Sequence, residues 1–230
     1  VTIAVGKIID ISLPLDASYR MHTPAGFTKD LQFDVEVLKD FDAHGGAGQI
    51  VRGVHMRLHA GTHVDAPHHF LRNGKRVHEI PLTTFIGDAA VANLSHLPPD
   101  SPITVREMER AVGGTLRRGD RLLIRTDWNK HYGEPGWAEG SPYLTPEATD
   151  WCVARGVVLV GMDFSHAKDA PNSPSKFYVS RTLCENGVIV MAYLKNLDQI
   201  TKDRVTLIAF PLAIIGVEST PVRAVVLEDA

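Results

Sequence analysis

The sequence predicts an α/β fold on a mixed sheet, and three observations carry that expectation. Apolar runs of strand length recur along the chain, helix start and stop signals interleave with them in the second half, and the first half is rich in strands and loops. A purely parallel sheet does not suit that asymmetry.

Taken in order, strands are expected at Lys7–Ser12, Gly53–His59 and Gly87–Leu94. Thr104-Val-Arg-Glu107 has capping-box spacing, so a helix should run from there to the stop at Gly113-Gly114. A strand follows at Arg121–Trp128. Thr145-Pro146-Glu147 offers a capping hydroxyl, a proline at the first helical position and an acid in the first turn, with Gly156 as the stop. Val157–Phe164 is the next strand, Ser180–Asn186 a short helix closed by Gly187, and Val188–Leu194, Val205–Pro211 and Arg223–Leu227 the last strands. The long Gly/Pro-rich or polar loops at 24–30, 43–49, 95–102, 129–146 and 166–175 are of the kind that either serve a site or are disordered.

Composition narrows the function. Across 230 residues, 24 Lys and Arg oppose 27 Asp and Glu, giving a formal charge of −3. That balance gives nucleic-acid binding no support. With 44% hydrophobic and 22% charged residues the chain is expected to fold as one globular domain spanning 1–230. No window approaches the roughly 18 apolar residues of a membrane span, and Val1–Lys7 lacks a secretory pattern, so the expected location is cytoplasmic, with no membrane partner. Cys152 and Cys184 fall in helical segments without metal-type spacing and read as buried thiols. Gly45-Gly46-Ala47-Gly48 lacks the Lys-Ser/Thr of a nucleotide loop.

Chemistry concentrates in twelve residues, His59-Ala-Gly-Thr-His63-Val-Asp65-Ala-Pro-His-His69-Phe70, which hold four of the eleven histidines. Imidazole and carboxylate suit divalent zinc, manganese or iron, and His59, His63 and Asp65 fit a three-ligand site with room for water or substrate. A continuing helix is opposed by Gly61, Val64, Pro67 and the pre-proline restriction on Ala66. In a straight strand positions 59 and 63 would lie about 13 Å apart, too far to share an ion. The chain must therefore bend, and Gly61 is the residue able to do so. The expected placement is at the end of the strand that begins at Gly53.

This motif resembles the His-x-Gly-Thr-His-x-Asp-x-Pro-x-His-Phe signature of the metal-dependent cyclase family, which includes bacterial kynurenine formamidase and isatin hydrolase. Asp10–Leu15, Gly119–Trp128, Gly161-Met162-Asp163 and Asn196–Gln199 resemble other family landmarks, so the likeness covers nearly the whole chain. It implies a swivelling β/β/α fold, dimeric or tetrameric, in which a divalent metal activates water against a cyclic or acylated amide or ester. Carried over, His59, His63 and Asp65 would be metal ligands and His69 the acid/base. Thr62 would orient Asp65 or serve as a turn residue. Two positions depart from the family: Ser180 and Ala192 stand where relatives have a His and a Glu that can complete a second metal site or proton relay. His166 is the candidate substitute base.

The primary expectation is a hydrolase of a small cyclic amide, lactone or N-acyl substrate using one manganese or zinc ion. Phe27, Trp137, Tyr143 and Phe177 are candidates to stack on a planar substrate ring. Two alternatives stay open: a non-catalytic member that binds metal or ligand, and a non-haem iron oxygenase drawing a distal ligand from His131 or His166.

Overall fold

The computed structural model describes residues 6–16, 33–42 and 48–229. Its strands are β1 (Lys7–Asp10), β2 (Asp34–Lys39), β3 (Val51–His55), β4 (His63–Asp65), β5 (Ile86–Asn93), β6 (Pro102–Ile103), β7 (Arg121–Arg125), β8 (Tyr143–Leu144), β9 (Leu159–Met162), β10 (Ile189–Ala192), β11 (Arg204–Ile208), β12 (Ser219–Pro221) and β13 (Val225–Glu228). The helices are α1 (Val105–Val112), α2 (Trp137–Gly140), α3 (Pro146–Arg155) and α4 (Tyr178–Glu185).

Nine strands form one curled mixed sheet in the order β1-β13-β11-β5-β7-β9-β10-β4-β12. The centre, β5-β7-β9-β10, is parallel, and every pairing outside it is antiparallel. The fold class is therefore the expected one. Central strands buried on both faces have to be apolar throughout, as Leu122-Leu123-Ile124 and Ile189-Val190-Met191 are. Alternation sends successive side chains to opposite cores. Ala90, Ala92, Leu122, Ile124, Val160 and Val190 meet α1, α3 and α4 through Met108, Val112, Cys152, Leu183 and Cys184. Ala89, Val91, Leu123, Leu159, Ile189 and Met191 pack on the other side with Ile9, Val64, Leu207 and Val226, where the curl of the sheet supplies its own cover.

The predicted hydroxyl caps form, although the reciprocal half of the expected capping box does not, since the Glu107 carboxylate pairs with His96. Thr104 accepts a hydrogen bond from the Glu107 amide, and Thr145 accepts one from the Ala148 amide. Gly156 closes α3 at φ 72°, a left-handed turn that glycine adopts without steric cost. Both cysteines are buried free thiols.

One expected strand differs. The segment placed at Gly53–His59 is β3, which ends at His55 and pairs with β2 in a separate two-stranded ladder. The metal-type motif is thus not the end of that strand, because its own His63–Asp65 forms β4 inside the main sheet. The reason is non-local: β4 gains ladder partners on both sides, from β10 and β12, neither of them near it in sequence.

Candidate metal centre

Three residues of β4 set the geometry. Val64 enters the core, so alternation turns His63 and Asp65 together to the opposite face, and both are fully buried. Before them the chain bends at Gly61, whose φ of 58° is the conformation the sequence demanded there. A Cβ on Gly61 would stand 2.8 Å from Leu15 Cδ2, so close packing reinforces the need for glycine. The bend brings His59 back until its Nδ1 lies 2.9 Å from Asp65 Oδ1. Ala66 is extended, and Pro67–His69 form a single 3-10 turn that presents His69 to solvent with its ring 4.6 Å from that of His59.

Hydrogen bonding fixes the state of His63. Its Nδ1 is 2.8 Å from the Gly61 carbonyl oxygen, which can only accept, so Nδ1 carries the proton. Nε2 then bears a lone pair, and it faces Asp65 Oδ1 at 3.6 Å. Burial drives the His63 pKa down to about 3 against the pull of Asp65, so a second ring proton does not relieve that opposition. His63 Nε2 and Asp65 Oδ2 are buried with no hydrogen-bond partner, and Asp65 Oδ1 has only the His59 ring nitrogen within reach. Buried acceptors turned on one another are costly unless a cation lies between them. The donors available, neutral imidazole and ionised carboxylate, are those a divalent transition metal takes.

His59 is in the opposite state. Burial would lower its pKa, but the Asp65 carboxylate, joined by Glu218, raises it to about 9. Its Nε2 lies 3.2 Å from Glu218 Oε1. Glu218, just before β12, went unremarked in the sequence reading because 159 positions separate it from His59 and no local pattern marks it. His69 is held below the usual histidine value, first by desolvation and then by positive neighbours, against the pull of Asp65.

Among the described residues, two groups of three have donor atoms all within 4.8 Å of one another, and they share Asp65. One is His59, Asp65 and His69, and the other is His63, Asp65 and His166, so the expected trio is divided: its two histidines fall in different groups that meet at Asp65. His166, four residues beyond β9, thus joins the cluster, with its ring 5.7 Å from that of His63. Ser180 on α4 and Ala192 on β10 also face this region. The Ser180 hydroxyl is 3.5 Å from His166 Nδ1, and Ala192 lies opposite His63 in the ladder.

Thr62 does not touch the carboxylate. Its hydroxyl donates to the Tyr193 carbonyl and accepts from the Leu13 amide, both at 2.7 Å, and so ties three segments together. Tyr193 has φ 57°, and its ring lies 5.6 Å from His63 and stacks on Trp137 at 5.5 Å. Trp137 is therefore one ring removed from the histidines. Phe177 faces Phe70 at 6.4 Å, and Phe70 lies 4.4 Å from His69. Tyr143 instead packs beneath the Lys168 ammonium at 5.1 Å, and Phe27 lies outside the described residues. His131 pairs with Glu134 on an exposed turn and stacks on Trp128.

Comparison with known proteins agrees with this geometry. The family model described as "Putative cyclase" matches residues 9–167, which include the whole histidine cluster. The chain belongs to the cyclase family. Kynurenine formamidase of Bacillus cytotoxicus is 29% identical to this cyclase-family chain over 221 residues, covering 95% of it and 96% of the relative. Isatin hydrolase A from Ralstonia solanacearum superposes with a TM-score of 0.85 at 27% identity, covering 97% of this chain and 92% of that one. Isatin hydrolase A from Labrenzia aggregata, bound to benzyl benzoate, gives 0.83 at 26% identity, covering 97% and 94%.

Proposed function

We propose that this cyclase-family enzyme hydrolyses a small cyclic amide, lactone or N-acyl, formamide-like substrate at a centre for one divalent ion, manganese or zinc. His59, His63 and Asp65 are its ligands, and His69 moves the proton. That the chain is a metal-dependent amidohydrolase follows from its family and from the kynurenine formamidase and isatin hydrolase relatives. The observation that carries the site assignment is the opposition of the His63 Nε2 lone pair and Asp65 Oδ1 in a buried position.

An ion bound there supplies Lewis acidity, polarising the scissile carbonyl and making water nucleophilic near neutral pH. The protein does the rest. The Gly61 carbonyl fixes the tautomer of His63, and Glu218 orients His59 through its far nitrogen. His69 is solvent-facing at the mouth of the cluster and neutral at physiological pH, so it is placed to take a proton from water and return it to the departing nitrogen or oxygen. Phe70 lies against His69 with the Arg181 guanidinium over its ring at 5.0 Å, and Phe177 beside it is the aromatic placed to meet a planar acyl or aryl group.

The test is elemental analysis of purified protein with turnover on a panel of aryl formamides, cyclic imides and lactones. The expected result is metal-dependent hydrolysis, lost in His69→Ala while the metal stays. Thermal stabilisation by panel compounds without turnover would instead identify a binding protein. The oxygenase alternative finds His166 beside His63 and Asp65, whereas His131 is paired with Glu134; what opposes it is the sheet, with its parallel centre flanked by helices, together with the hydrolase relatives.

Assembly as a homodimer or homotetramer belongs to the same reading. The β2–β3 ladder leaves Val35, Val37, Val51 and Val54 exposed, and an isolated two-stranded ladder is marginal in water. Light scattering that returned a monomer would overturn it. Among the described residues, no helix is long and apolar enough to cross a membrane.

A further inference from the structure

We propose that His166 is a fourth protein ligand to the ion, grouping with His63 and Asp65 while His59 comes from the other group around Asp65, so that the centre is a three-histidine, one-carboxylate site. The inference rests on the metal-hydrolase reading and adds to it a ligand from a separate part of the chain. Its basis is geometric. A ring nitrogen of His166 lies within 4.8 Å of both a His63 nitrogen and an Asp65 oxygen. Two donors about 2.1 Å from one ion stand at most ~4.2 Å apart, so the three reach a shared ion by closing in less than about 1 Å. His63 Nε2 and Asp65 Oδ2 are buried without a partner, and the His166 ring stands 5.7 Å from that of His63.

The neighbourhood leaves His166 little other employment. Ser180 meets it only at 3.5 Å, a long contact, and the Ala192 methyl opposite His63 offers neither charge nor donor. The Tyr193 ring stands edge-on to it at 5.9 Å. Meanwhile the loop that carries it is anchored on both sides. Lys168 donates to the Ser141 carbonyl at 2.6 Å, and Asp169 accepts from the Phe177 and Tyr178 amides at 2.6 and 2.8 Å. Upstream, Asp163 accepts from the Thr126 and Asp127 amides. A loop so tied holds its imidazole in place before the ion arrives, which favours binding.

Coordination number gives the inference a chemical consequence. Four protein donors fill a zinc tetrahedron, so an ion that also activates water there must accept a fifth donor. Manganese, which favours higher coordination, does so more readily than zinc.

Cobalt(II) is the probe, titrated into the full-length metal-stripped protein with its visible absorption recorded. The expected result is one equivalent per chain, with a band whose position and intensity change in His166→Gln and an affinity at least about 10-fold weaker in that variant. In His166→Gly, added imidazole should restore the parental band, a rescue that a folding defect would not permit. An identical spectrum and affinity in His166→Gln would overturn the inference, as would two equivalents of cobalt per chain. If the parent protein binds no cobalt, the metal-hydrolase reading itself fails. If the parent binds it and Asp65→Ala does not, while His166→Gln matches the parent, only the role of His166 fails.

Discussion

His63 Nε2 faces Asp65 Oδ1 at 3.6 Å with a lone pair on each side, and both residues are fully buried. Gly61 enforces that opposition by accepting the only ring proton of His63. Removing the carboxylate removes the negative pole that holds any cation there. Asp65→Ala should therefore retain less than about a tenth of the metal of the parent after dialysis, measured by elemental mass spectrometry on folded protein. Full occupancy in that variant would show that the ion sits elsewhere.

Metal uptake should release a proton. Within the metal-free protein His59 titrates near 9 and is charged at pH 7, whereas His63 at about 3 and His166 at about 4 are already neutral. Ligation needs a neutral ring, so about one proton should leave per ion at pH 7, falling toward none above pH 9. Calorimetric titration in buffers of different ionisation enthalpy reads that number directly. The same shift has a stability sign: a folded pKa raised from 6.5 to about 9 contributes stability that is complete below pH 6.5. That contribution is lost as pH rises through 9, so the metal-free protein should lose stability over this interval.

Glu218 supports His59 from behind. Its Oε1 is 3.2 Å from the nitrogen that faces away from Asp65, the arrangement that fixes a metal-binding imidazole in one tautomer. Glu218→Gln keeps the shape and loses the charge. Metal affinity should fall by roughly 10- to 100-fold with the fold intact, and competition against a chelator would show it. An unchanged affinity would reduce Glu218 to a surface contact.

Thr62 is a joint between segments. Thr62→Val keeps the volume but strips the hydroxyl from the Leu13 amide and the Tyr193 carbonyl. A buried group left without its partner costs about 1–3 kcal/mol, so urea unfolding should show a loss of roughly 2–6 kcal/mol for the pair. Metal stoichiometry should stay at the parental value. A variant as stable as the parent but stripped of metal would place Thr62 in the centre itself.

Much of this protein could be read from its residues in order. Capping hydroxyls at Thr104 and Thr145, the stop at Gly156 and the apolar runs at 121–128, 157–164 and 188–194 are local signals, and each marks the expected element, the strands being shorter at 121–125, 159–162 and 189–192. The twelve-residue cluster was legible for the same reason, since its ligand types and the bend at Gly61 lie within reach of one another along the chain. What the sequence could not order was anything decided by strand pairing. That β4 runs between β10 and β12, that β3 leaves the main sheet for β2, and that Glu218 stands behind His59 are consequences of contacts between residues far apart in the chain. His166 is the sharpest instance. Its local sequence is that of a loop histidine, and only the parallel placement of β9 beside β10, which in turn pairs with β4, carries it to Asp65. Spacing along the chain fixes which side chains a short segment can present, whereas the sheet decides which segments meet.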